Sequence, residues 1–141
     1  MNVILEYFDF PPQQYRMELT VGDHSPRHVR RIVRTYLRTW GMADVRDAVE
    51  LAVSELLTNV HRHVADRWCR VTVVKLHQGV RVEVHDREAA HPVAREAGAE
   101  DETGRGLAIV ALVTDRHGVT PGAEGKTVWF ECGKGVRGVV G

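Results

Sequence analysis

One stretch near the middle of the chain constrains the fold most: residues 52–63, which read Ala-Val-Ser-Glu-Leu-Leu-Thr-Asn-Val-His-Arg-His. Its apolar residues recur with the period of an α-helix, and the apolar stripe continues on both sides. On such a helix Glu55, Asn59 and His63 follow one another at steps of four and therefore share one face. We predict a core helix with a carboxylate and an amide at the border of its buried side. Taken alone, such residues are more typical of an ordinary solvated flank.

The composition is that of one globular domain. A chain of 141 residues is long enough for one buried core and too short for two. Its 19 basic and 19 acidic residues balance, so nothing demands a nucleic acid as partner. Two cysteines make neither a disulfide framework nor a zinc cluster. The N-terminus resembles no signal peptide, and no run approaches the ~20 apolar residues of a membrane span. These features predict a cytoplasmic protein with reduced thiols.

The first third of the chain predicts a strand and two helices. Residues 1–14, which include Pro11-Pro12, form a lead-in, and residues 15–21 alternate as a strand. Ser25 at the N-cap and Pro26 at the first helical position begin a helix that ends at Gly41. Five arginines lie on its other faces, which a solvated surface explains better than a partner site does. Asp44 is predicted to cap the second helix, which runs to about residue 65 and carries the stretch described above.

A pair of strands follows, 70–77 and 80–85, joined at Gln78-Gly79. In the second strand Val80, Val82 and Val84 face one side, and Asp86 continues their parity. A carboxylate on the buried side needs a partner. Capping the next loop and binding a ligand are equally good explanations of this residue.

Residues 87–103 show no periodicity and are long for a loop in a compact domain, which is typical of a lid or of disorder. Gly104-Arg105-Gly106 then begins a third helix, where glycines and the helix end favour an anion. A short strand near Val119, a last strand over 125–131 and a glycine-rich tail, residues 133–141, complete the chain.

Three of these segments together resemble the ATP-binding domain of the GHKL superfamily. They are residues 54–59, Ser-Glu-Leu-Leu-Thr-Asn, which look like its N-box; residues 103–107, Thr-Gly-Arg-Gly-Leu, which look like its second glycine box; and residues 125–130, Gly-Lys-Thr-Val-Trp-Phe, which look like its closing strand. The small anti-sigma-factor serine/threonine kinases are the members that the chain resembles most. The implied fold is α/β (α+β): a two-layer sandwich, a mixed sheet with helices on one face, over residues 15–132.

The resemblance also implies roles for individual residues around bound ATP. Glu55 would be the general base, and Asn59 would coordinate Mg²⁺ at the phosphates. Asp86 would accept a hydrogen bond from the adenine amino group. Thr127 would help to fix that adenine contact. The remaining ligands to the phosphates would be His63, Gly104, Arg105 and Gly106.

The implied function is a regulatory kinase that phosphorylates a serine or threonine of an anti-anti-sigma (STAS-type) partner and alternately holds a sigma factor, as a homodimer, without contacting nucleic acid or membrane. In this family an Asp-x-Gly-x-Gly box is usual, whereas Asp86 is followed here by Arg-Glu-Ala-Ala. Loss of both glycines removes backbone freedom from that loop. It favours the alternative of a non-catalytic regulator-binding module with a degenerate nucleotide site, while Glu55 and Asn59 favour the kinase.

Overall fold

A computed structural model describes residues 13–88 and 102–133, the first four of the second range by backbone alone. The described residues form three α-helices and five strands. In chain order these are β1 (Gln14–Thr20), α1 (Ser25–Thr39), α2 (Arg46–His63), β2 (Trp68–Leu76), β3 (Gly79–Asp86), α3 (Glu102–Val113), β4 (Arg116–Gly122) and β5 (Gly125–Gly133). Most of the lead-in, most of the loop 87–103 and nearly all of the tail lie outside the described residues.

The sheet has the strand order β1-β2-β3-β5-β4, and its neighbouring strands pair antiparallel. The two-layer arrangement is as expected, but within the described residues the sheet is antiparallel, where a mixed sheet was expected. The reason lies in the connections. Because two helices join β1 to β2, the chain re-enters the sheet at the end where it left, with Thr20 opposite Trp68. β2 and β3 form a hairpin, as predicted, with Gln78 in the left-handed region at φ 61°.

The helix boundaries differ in detail from the prediction. Ser25 is the first residue of α1, and its hydroxyl accepts a hydrogen bond from the Gly22 N–H at 2.8 Å. Gly41 follows α1 with φ +73°, the left-handed conformation expected of a glycine at that position. Asp44 is not the cap of α2. It lies in a 3₁₀ turn, Ala43–Val45, and α2 begins at Arg46 without a capping side chain among the described residues.

The hydrophobic core lies between the helices and one face of the sheet. In the described part of the chain it combines the inner sides of α1, α2 and α3 with alternate residues of the strands. Phe130, Leu37 and Leu57 are the largest side chains with no exposure. No helix of this part of the chain is long and apolar enough to cross a membrane.

The opposite face of the sheet is polar and aromatic. Arg81 lies over the Trp129 ring at 4.1 Å and pairs with Glu83 and Glu131, each at 2.8 Å. Burial alone would lower the pKa of Arg81, but the hydrogen bonds to the two carboxylates outweigh it and the pKa is raised. The sheet thus has two chemically different faces. Because side chains alternate along a strand, the position of each residue determines the face on which its side chain lies.

Candidate functional site

Helix α2 carries the three polar residues of the central stretch on one face, as its period predicts. Glu55 and Asn59 are half-buried in the middle of the helix, and His63 is its exposed last residue. Ser54, also part of the proposed N-box, serves the packing of the helices. Its hydroxyl accepts a hydrogen bond from Arg30 of α1 at 2.8 Å and donates one to the Glu50 carbonyl at 2.9 Å.

Helix α3 brings a glycine against this polar pair. A Cβ at position 106 would lie 3.1 Å from Glu55 Oε1 and 3.3 Å from Asn59 Oδ1. Both distances are tighter than ordinary contacts, so the missing side chain is what allows α3 to approach. The structure therefore brings Gly106 close to Glu55 and Asn59, although Gly106 and Glu55 are 51 positions apart in the sequence.

Gly104 and Arg105 lie in the first turn of α3, which begins at Glu102. Their backbone is helical, and their N–H groups belong to the end of the helix where such groups have no partner within the helix. The side chain of Arg105 lies outside the described residues. The backbone of this turn is the part that an anion would contact.

Asp86 closes β3 on the helix-facing side of the sheet and is 3% exposed. Its Oδ1 accepts a hydrogen bond from the ammonium of Lys126 at 2.9 Å and another from the Glu88 backbone N–H at 2.8 Å. The capping role that the sequence left open is thus present in the Glu88 contact. A role as ligand is not displaced by it, because a carboxylate accepts through two oxygens.

Cys69 lies opposite Asp86 in the strand register. Burial, with a smaller contribution from the Asp86 charge, raises the pKa of the Cys69 thiol to about 12. The thiol is therefore neutral at physiological pH and is a packing residue of this corner of the core.

Thr127 lies next to Lys126 on β5. It is paired with His85 in the register, and the two side chains meet at 3.1 Å on the polar face of the sheet. Asp86 is paired with Lys126 on the helix-facing side. The residue of β5 opposite Asp86 in the register is Lys126, and the contribution of Thr127 to an adenine contact stays a prediction.

Lys126 was missed in the sequence, although its signal was present. Val128 and Phe130 are the buried residues of β5, and alternation from them places position 126 on the same side. The parity that identified Asp86 on β3 would have identified Lys126 on β5. The resemblance of the closing strand to the family points to Thr127 instead.

The two-layer fold thus brings a carboxylate and an amide of α2 against a glycine of α3, and it places a buried carboxylate at the end of β3 on the side that the helices cover. The chain belongs to the histidine kinase-like ATPase domain family, whose sequence model matches residues 17–132. The resemblance to the GHKL superfamily is thereby confirmed. ATP is the ligand that membership of this family assigns to the domain.

A solved structure shows the same fold. It is the crystal structure of the RsbU and RsbW domains of Rv1364c from Mycobacterium tuberculosis, to which this chain is similar with a TM-score of 0.65 and 20% sequence identity. The match covers 86% of this chain and 32% of that chain, so this protein spans about a third of the length of its structural relative. Among curated proteins, none matches this chain.

Proposed function

We propose that this protein is an ATP-dependent regulatory serine/threonine kinase whose substrate is an anti-anti-sigma (STAS-type) partner, and that it alternately holds a sigma factor. The observation that carries the proposal is the contact region of Gly106 with Glu55 and Asn59. It supplies a proton acceptor and an amide beside a helix turn that favours anions. The similarity to a structure that contains an RsbW domain supports the choice of a regulatory protein as partner.

The residues present fit ATP with Mg²⁺. Amide and carboxylate oxygens are the ligands that Mg²⁺ prefers, and Asn59 would hold the ion at the phosphates. The space left by the absent side chain of Gly106 adjoins both polar groups. Bound Mg²⁺ would supply neutralisation of the phosphate charge. Asp86, buried and facing the helices, would accept from the adenine amino group.

Glu55 would act as the general base. As the oxygen of the partner's serine or threonine forms its bond to the γ-phosphorus, the bond to the bridging oxygen of ADP breaks, and the hydroxyl proton passes to the Glu55 carboxylate. The backbone N–H groups of Gly104 and Arg105, in the first turn of α3, would hold phosphate oxygens, and Gly106 would adjoin the bound group through its absent side chain. His63, exposed at the end of α2, would approach the phosphates from the other side of Asn59.

Titration calorimetry of Mg²⁺-ATP into the wild-type protein and Asn59→Ala tests the site. We expect binding that the substitution weakens sharply. Glu55→Ala separates chemistry from binding: it should retain ATP and lose transfer of the γ-phosphate to a purified STAS-domain protein. Absence of binding to the wild-type protein at millimolar ATP would refute the kinase.

A non-catalytic regulator-binding module is the second candidate, and one observation favours it. The segment after Asp86 lacks the usual glycines, and Oδ1 of Asp86 is already held by Lys126. Such a module would bind a sigma factor equally well in the wild-type and Glu55→Ala proteins and would transfer no phosphate.

The proposed homodimer is tested separately, by analytical ultracentrifugation of the same samples.

A further inference from the structure

Lys126 is a buried cation that the proposed chemistry does not use. It is 5% exposed, and its ammonium lies 2.9 Å from Asp86 Oδ1. Burying a charge costs free energy unless the charge is paired, and this pair meets that condition. A lysine at this position therefore has a specific task at the carboxylate, since an apolar residue would fill the same space without that cost.

The ammonium also holds the chain that follows β3. Lys126 Nζ donates a second hydrogen bond, to the Glu88 carbonyl at 3.2 Å. The Glu88 N–H in turn donates to Asp86 Oδ1 at 2.8 Å. These three contacts form a closed ring of Asp86, Lys126 and Glu88. The ring fixes a segment that carries no glycine between residues 86 and 88.

The contacts are not distributed evenly over the carboxylate. Within residues 13–88 and 102–133, the hydrogen bonds donated to Asp86 by Lys126 and Glu88 both go to Oδ1. An ionised carboxylate only accepts hydrogen bonds, and an ammonium only donates them. Occupation of one oxygen by Lys126 thus orients the carboxylate and leaves Oδ2 as an acceptor for a donor from outside.

We propose that Lys126 is the positioning residue of base recognition: it holds Asp86 by Oδ1 so that Oδ2 meets the 6-amino group of adenine and repels the 6-carbonyl group of guanine. This inference rests on the proposed ATP site. It adds the residue that determines which purine the site accepts. In this account Lys126 acts through Asp86, and two of the three N–H donors of its ammonium are directed to Asp86 and Glu88.

Calorimetric affinities for ATP and GTP in the presence of Mg²⁺ test the proposal. The wild-type protein should prefer ATP. Lys126→Met, which keeps length and removes the charge, should reduce the ratio of the two affinities by about tenfold or more, the size of one lost hydrogen-bond contribution. Lys126→Arg should retain most of the preference. Lys75→Met is the matched control, since Lys75 lies on β2 opposite Val80, away from Asp86, and should leave the ratio unchanged.

A double-mutant cycle distinguishes positioning from a general structural effect. If Lys126 acts through Asp86, then adding Lys126→Met to Asp86→Asn should change the ratio by less than about twofold. The double variant, Asp86→Asn with Lys126→Met, can still be measured if Lys126→Met alone does not fold, because it leaves no unpaired buried charge. A large change on the Asp86→Asn background would overturn the proposal.

The outcomes separate the two levels of inference. A wild-type protein that binds ATP, with an ATP-to-GTP ratio that Lys126→Met leaves unaltered, overturns the role of Lys126 and leaves the kinase proposal standing. A wild-type protein that binds neither nucleotide overturns the proposed function, and the role of Lys126 with it. An equal loss of preference in Lys75→Met would also count against Lys126.

Discussion

At the scale of single residues, the absence of a side chain at Gly106 matters for the proposed site as much as the charged residues do. Gly106 lies inside α3, where alanine is favoured over glycine by about 1 kcal/mol. We therefore expect Gly106→Ala to leave the free energy of unfolding unchanged or to raise it. The same Cβ would press on Glu55 Oε1 and Asn59 Oδ1, so affinity for Mg²⁺-ATP should fall by roughly tenfold, about 1.4 kcal/mol. Denaturant unfolding and calorimetry together measure both effects.

Gly22→Ala is the matched control for this substitution. A Cβ at Gly22 meets nothing within 4 Å, and the residue lies before α1, away from the polar pair. It should change neither nucleotide affinity nor the enthalpy of binding. A loss of affinity in Gly22→Ala equal to that in Gly106→Ala would show that the effect does not come from the contact with Glu55 and Asn59.

The cysteines give a second prediction at this scale. Cys69 has no exposed surface, Cys132 is 2% exposed, and the pKa of the Cys69 thiol is raised to about 12. Because the thiolate is the reactive form, a disulfide reagent at pH 8 should not label the native protein. Both thiols should react at once in denaturant. Fast labelling of the native protein would contradict the burial of this corner of the core.

At the scale of elements, α1 and α2 are joined by a two-pronged ion pair. Arg34 donates to both oxygens of Glu50, at 2.9 and 2.8 Å. This hydrogen bonding lowers the pKa of Glu50, against the opposing effect of burial. A carboxyl group with a lowered pKa in the folded protein stabilises it above the ordinary pKa, about 4.3, and loses that contribution as the pH falls.

Glu50→Gln should therefore be less stable than the wild-type protein at pH 7. The difference should begin to decline as the pH falls past the ordinary pKa of about 4.3 and should be lost as the pH passes below the lowered pKa of Glu50 in the folded protein. Because the Arg34 side chain is 37% exposed, solvent screens the pair and the difference should be modest. Urea unfolding across this pH range measures it. Glu124→Gln, in the exposed turn between β4 and β5, is the matched control and should leave the free energy of unfolding at pH 7 unchanged.

The hairpin of β4 and β5 depends on a glycine at the start of β5. Gly125 has φ +135°, and a Cβ there would collide with the Asp86 carbonyl oxygen. Backbone atoms cannot give way as a side chain does, so we expect Gly125→Ala to cost about 2 kcal/mol or more. Gly122→Ala, in the same hairpin, meets only an ordinary contact at 3.7 Å and should be nearly neutral. Comparable midpoints of urea unfolding for the two variants would refute this reading.

The periodicity of the sequence predicted those features that depend only on the spacing of residues within one helix or strand. The shared face of Glu55 and Asn59 and the buried side of Asp86 both follow from periods of 3.6 and 2. The contact of Gly106 with α2 is tertiary, and the sequence indicated it only through family resemblance. Asp44 shows that the sequence predicts the ends of helices less well than their existence. The residue lies in a 3₁₀ turn and does not cap the start of α2.

At the scale of the whole molecule, the residues of the proposed site lie on the side of the sheet that the helices cover. Glu55, Asn59 and Gly106 lie at the contact of α2 and α3, and Asp86 and Lys126 lie at the ends of β3 and β5. A ligand that contacts both groups would join elements that are distant in sequence. Such a ligand stabilises the folded chain as a unit, because the unfolded chain does not present the site.

Thermal unfolding with Mg²⁺-ATP should therefore report the site through the whole fold. At a ligand concentration ten times the dissociation constant, binding adds about 1.4 kcal/mol to the free energy of unfolding. For a domain of this size that raises Tm by about 4–6 °C. Asn59→Ala should lose the shift at the same concentration, since its affinity is lower, while its Tm without nucleotide should stay near the wild-type value because Asn59 is half-buried and outside the apolar core. A nucleotide-dependent shift of equal size in both proteins would place ATP elsewhere on the surface and would refute the proposed site at Glu55 and Asn59.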